Sequence, residues 1–177
     1  ARSNGPEEGM EKSYAEIKNI LSLMKENVEV FKGSKSYLAD ENTPVESDAA
    51  DDLIKRAKSY SAEKSLYVVA IGAITNIASA LIKAPEIAEN IVIVWLGGHA
   101  RHFHDTNEFN MKQDIAAARV IMKSGAPFVQ LPYMGVVSGF TVSKPELEYW
   151  FKGKNELADY LAKSTVEEAE IYTAVKT

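Results

Sequence analysis

The chain has 177 residues, 46% hydrophobic and 25% charged, with a net charge of −5, the composition of a globular chain long enough for one domain with a sizeable core. An acidic balance excludes the basic face of a nucleic-acid binder, and the longest apolar run, Ile91–Leu96, falls far short of the roughly 18 residues of a membrane span. Without cysteine there is no disulfide framework, thiol nucleophile or thiolate metal site.

Residues Ala1 to Pro6 carry no apolar signal-peptide core. Met10 to Lys25 sets Tyr14, Ile17, Leu21 and Met24 on one face of an amphipathic helix. Val28 to Phe31 reads as a short strand closed by Gly33, and Asp40 to Pro44 as a polar loop. Ser47 is an N-cap signal for a helix running to about Ser59. Leu66 to Ile71 is apolar and β-branched, a buried strand broken by Gly72, and Thr75-Asn76 opens a helix stopped before Pro85. The strand Ile91–Leu96 ends in Gly97-Gly98, and a helix spans about Gln113 to Lys123, ended by Gly125. Phe128–Leu131 is a fourth strand. Beyond it the pattern is helical, with Asn155 as a cap and Thr165 starting the last helix. Strands alternating with helices of this length imply crossover connections, hence an α/β fold with a mainly parallel open sheet and helices on both faces. Residues 1–177 read as part of a single α/β domain. Four short strands are few for so many helices, so the chain is expected to be a fragment of a larger domain with an open apolar seam.

The richest chemistry lies after the third strand, in Asn107-Glu108-Phe109-Asn110. Loops at the C-terminal ends of parallel strands are where such sheets place ligands. In an extended segment Glu108 and Asn110 point the same way, and a carboxylate beside an amide suits vicinal hydroxyls, which both donate and accept. A sugar is the ligand this favours. The competing reading is a helix cap and turn.

Val69-Ala70-Ile71-Gly72-Ala73-Ile74-Thr75-Asn76-Ile77-Ala78 resembles the strand, turn and helix start of the inosine–uridine-preferring nucleoside hydrolases. Leu96-Gly97-Gly98, Glu108-Phe109-Asn110 and Asp114-Ile115-Ala116-Ala117-Ala118 follow in the same order and spacing. The resemblance implies a nucleoside-hydrolase-like domain with a Rossmann-like core. It implies hydrolysis of the N-glycosidic bond of ribonucleosides with calcium holding the attacking water, and it implies a homo-oligomer. Carried over residue by residue, Glu108 and Asn110 bind ribose, and Ile71 offers its backbone carbonyl to calcium. Asn4 matches an earlier ribose-contacting asparagine, and His102 falls near another. The family's aspartate-rich segment, with most calcium ligands and the catalytic base, has no counterpart here, so the catalytic residues stay unassigned and the 177-residue chain alone is expected to be inactive. The alternative is a catalytically silent nucleoside- or sugar-binding relative. A ribonucleoside is the expected partner, with neither nucleic acid nor membrane. The expected compartment is cytoplasmic, with a bacterial periplasm left open.

His99, His102 and His104 share one loop with Asp105. A transition-metal site is one reading; the other is a loop bordering the substrate pocket, with a ring that stacks on a nucleobase or protonates it. Trp95 and Trp150 read as core. Asp51-Asp52 reads as a solvated helix face beside Lys55 and Arg56.

Overall fold

The computed structural model describes residues 5–174, with side chains to residue 170. Its helices are α1 (Pro6–Met24), α2 (Asp48–Ala57), α3 (Thr75–Lys83), α4 (Phe109–Gln113), α5 (Ile115–Lys123), α6 (Lys144–Phe151) and α7 (Glu156–Ala174). The strands are β1 (Leu66–Ala70), β2 (Ile91–Leu96) and β3 (Phe128–Leu131), and 3-10 turns occupy Pro85–Asn90 and Val137–Gly139. The residues divide into two units, Ala1–Ala15 with Val30–Gly139 and Glu16–Glu29 with Phe140–Thr177.

Local signals set most boundaries. Ser47 caps α2, its side chain accepting from Ala50 N, and Pro85 stops α3 because it disfavours helix at the residue before it. In the second unit α6 packs on α7. Ser143 and Glu146 form a reciprocal capping box on α6, and Asn155 Oδ1 accepts from Ala158 N at 2.9 Å at the start of α7. The last helix therefore begins at Glu156 rather than Thr165. The residues before Thr165, including Leu161 and Ala162, are good helix formers with nothing to break them.

In the first unit the sheet runs β1-β2-β3, all parallel, with Leu66 opposite Ile91 and Ile93 opposite Phe128. Right-handed crossovers between neighbours taken in chain order carry their helices to the same face. There Ile91, Ile93 and Trp95, each 0% exposed, meet Ile74, Ile77 and Leu81 from α3 with its N-cap, and Ala117, Ala118 and Ile121 from α5. The opposite face presents Tyr67, Val69 and Val129 at 69, 66 and 46% exposure. Helical cover was expected on both faces. Among the described residues the helices of this unit cover one, and the expected apolar seam is the other.

Val28–Phe31 forms no strand. Val28 is 59% exposed, and the Arg56 guanidinium lies 6.0 Å from the centre of the Phe31 ring. A β-branched run needs a neighbouring strand to become one. Trp150, expected in the core, is 65% exposed on α6 and lies edge-on to Tyr149. Its neighbour Leu147 takes the buried position.

Candidate functional site

Glu108 ends the loop after β2 with extended backbone (φ −96°, ψ 152°) and caps α4. Its carboxylate accepts from Gly98 N at 3.0 Å, Asn110 N at 2.9 Å and Met111 N at 3.0 Å. Capping overrides the extended segment expected here: a carboxylate that satisfies two orphan N–H groups of a helix start favours the turn. Asn110 therefore stands on α4, and its Nδ2 donates to Leu96 O at 2.9 Å and Ile71 O at 3.4 Å. The amide so ties together the C-terminal ends of β1 and β2, with Trp95 Nε1 donating to Gly72 O beside it. Gly98, at φ +73°, takes a conformation that L side chains avoid, and a Cβ there would lie 2.9 Å from both Gln130 Nε2 and Met111 Cε.

Glu108 and Asn110 are 5 and 8% exposed. The Glu108 Oε2 atom takes three N–H groups and Oε1 takes one, shared, at 3.0 Å. A carboxylate has about four lone-pair sites, so Oε1 keeps capacity for a hydroxyl, as does Asn110 Oδ1. A sugar hydroxyl entering here would meet two acceptors whose positions are already fixed.

Next to this pair lies a second polar network that sequence reasoning missed. Asp114, 3% exposed, caps α5 through Ala117 N and accepts from Leu38 N at 2.9 Å and Thr75 Oγ1 at 2.6 Å. Asn76 Oδ1 accepts from Ser34 N and Ser34 Oγ, both at 2.8 Å, and the Tyr37 hydroxyl donates to Gln113 Oε1 at 2.8 Å. Residues 34–38 are thus pinned across the N-termini of α3 and α5, at the strand ends that carry Glu108 and Asn110. Desolvation, then the Asp114 charge, raises the Tyr37 pKa above the usual 10.0. Thr75 and Asn76 look like cap residues, yet the N-cap of α3 is Ile74, without a side-chain cap bond. An Asp before Ile-Ala-Ala-Ala was the available signal for the Asp114 cap.

The histidines do not converge. His104 pairs with Asp105 at 2.9 Å, His102 lies tilted against Phe103, and His99 lies between Phe103 and Tyr133. Among the described residues no three His, Asp or Glu side chains could hold a metal ion together. Asp51 and Asp52 pair with Lys83 and Arg56 on the surface. Asn4 lies outside the described residues. A pocket of about 320 Å³ lined by Leu81, Pro85, Val120 and Lys123 sits at the C-terminal ends of α3 and α5, so it contains none of these groups. No helix among the described residues is long and apolar enough to cross a membrane.

Comparison with known proteins places this geometry in context. Residues 7–176 match the family model described as inosine-uridine preferring nucleoside hydrolase. The chain is 27% identical over 135 residues to a protein of Arabidopsis thaliana named "Probable uridine nucleosidase 2", covering 74% of this chain and 41% of that one. A purine-preferring ribonucleoside hydrolase from Gardnerella vaginalis superposes with TM-score 0.71 at 26% identity, covering 86% of this chain and 57% of that one. A nucleoside hydrolase from Bacillus anthracis, at 21% identity and TM-score 0.50, covers 69% of this chain and 48% of its own; it bears on the fold alone. The chain spans about half the length of these relatives.

Proposed function

We infer that this chain, which belongs to the inosine–uridine preferring nucleoside hydrolase family, serves in hydrolysis of the N-glycosidic bond of ribonucleosides to base and ribose. The observation that carries the reading is the Asn110 amide reaching the carbonyls that end β1 and β2, with the Glu108 carboxylate fixed beside it. Glycosidic cleavage passes through an oxocarbenium-like state. A preorganised carboxylate and amide next to the sugar hold its hydroxyls and oppose the developing positive charge without having to reorganise.

Members of the family use a metal ion, and the ion this reading calls for is calcium. The described residues do not make its site. Ile71 O is engaged by Asn110 Nδ2, no acidic cluster stands near it, and calcium takes six to eight oxygens. No step is therefore assigned to a metal or to a catalytic base in this chain. Glu108 and Asn110 bind the sugar and orient it.

A second reading, a silent nucleoside- or sugar-binding relative, is favoured by the three backbone N–H groups that already occupy Glu108 as a structural cap. Release of ribose from inosine and uridine by the protein carrying this chain separates the two. Turnover that a chelator abolishes supports the hydrolase, and saturable nucleoside binding without ribose release supports the silent relative.

A further inference from the structure

Asn110 stands on α4 and Glu108 caps it, yet α4 has only five residues, about one and a half turns. A helix this short does not keep its shape on backbone bonds alone, so its place is set by what grips its two ends. At the N-terminal end the Glu108 carboxylate reaches back to Gly98 N. The C-terminal end is gripped from a distant segment. The Tyr37 hydroxyl donates to Gln113 Oε1 at 2.8 Å, and Leu38 N donates to Asp114 Oδ2 at 2.9 Å. Gln113 is the last residue of α4 and Asp114 its C-cap. Gln113 Nε2 in turn donates to Phe109 O at 3.2 Å, the carbonyl of the peptide that joins Phe109 to Asn110. One amide thus links the Tyr37 hydroxyl to the backbone that carries the sugar-facing pair. Leu38 belongs to the hydrophobic core, so the segment beside Tyr37 is anchored independently of its hydroxyl.

We propose that Tyr37 is a positioning residue for the hydrolysis: acting through the Gln113 amide, it holds α4 where Glu108 and Asn110 meet the sugar. This role rests on the nucleoside-hydrolase reading above and deepens it. The Asn110 amide spans its two carbonyls unequally, 2.9 Å to Leu96 O and 3.4 Å to Ile71 O. A small shift of α4 away from the strand ends breaks the longer bond and moves both acceptors off the sugar. A misplacement of about 1 Å can cost a hundredfold in rate. The pair matters most once positive charge has developed on the sugar, so the loss falls on kcat rather than on KM.

The test measures kcat and KM separately, on the better substrate of inosine and uridine, for the protein carrying this chain, Tyr37→Phe, Gln113→Ala and the double variant. Melting temperatures are recorded alongside. Tyr37→Phe keeps the ring and removes only the hydroxyl. One end of α4 is loosened rather than freed, so kcat should fall roughly tenfold while KM stays within about twofold. Gln113→Ala should show the same split, and it carries the test even where Tyr37→Phe fails to fold. The double variant should be no slower than Gln113→Ala, because the hydroxyl acts only through that amide. A lowered melting temperature with kcat and KM unchanged is the mark of a merely structural tie, and it overturns the positioning role while leaving the hydrolase reading intact. Single effects that multiply in the double variant overturn the route through Gln113. A parent protein that releases no ribose from either nucleoside overturns both the role and the reading.

Discussion

Asp114 is the side chain on which the strand-end loops depend most. Its carboxylate serves two backbone N–H groups and one hydroxyl from three separate segments, and a buried donor left without a partner costs about 1–3 kcal/mol. Asp114→Ala should lower the unfolding free energy by roughly 3 kcal/mol in a denaturant titration, a large share of typical domain stability; a loss below about 1 kcal/mol would mean that water replaces the carboxylate freely. Tyr37 gives a pH readout of the same network. A raised folded pKa means that its contribution is fully present below pH 10.0 and is lost as pH rises through the folded value. Ultraviolet titration should therefore show two tyrosines ionising late, Tyr37 and Tyr160, the latter through its hydrogen bond to the Glu16 carboxylate, and Tyr37→Phe should remove one of the two. Uniform titration of all tyrosines would contradict the Gln113 and Asp114 environment.

At the scale of elements, the two faces of the sheet make opposite predictions. Ile93 is fully buried against the helices, whereas Val69 is 66% exposed on the far face. Ile93→Ala should cost about 2–5 kcal/mol, and Val69→Thr should stay within about 0.5 kcal/mol, both read from denaturant midpoints. A core-sized loss for Val69→Thr would show that something covers that face. Strands β2 and β3 lie where their apolar runs predict, because Gly97-Gly98, Gly125 and Pro132 punctuate them sharply. Val28–Phe31 has the same composition without a partner, and pairing is not written in a strand's own residues. The Glu108 cap was legible as an alternative. Its carboxylate reaching back to Gly98 was not, since that contact exists only once β2 and α4 are in place. Thr75 and Asn76 open α3 as their sequence predicts, but their side chains serve distant segments rather than their own helix, which the sequence alone does not show.

For the whole molecule, the fold and the family follow from two sequence blocks in the right order, and the structure adds how those blocks meet. Among the described residues no group of acidic or imidazole side chains is placed to hold a metal ion. One carbonyl at Ile71 is far from a calcium shell, so calorimetry on the 177-residue chain should show no tight calcium binding. Tight binding would direct attention back to Asp51, Asp52 and Asp105. The central claim is that Glu108 and Asn110 hold the ribose of a nucleoside undergoing hydrolysis. It is tested most directly by comparing kcat/KM for inosine between the protein carrying this chain and its Glu108→Gln variant, which keeps an acceptor for the α4 cap while removing the charge. A lost charge-assisted hydrogen bond is worth about 1.5–3 kcal/mol and counts for more in the transition state. The account predicts a fall of roughly tens to thousands of fold with the melting temperature little changed; equal kcat/KM in a folded variant would contradict it.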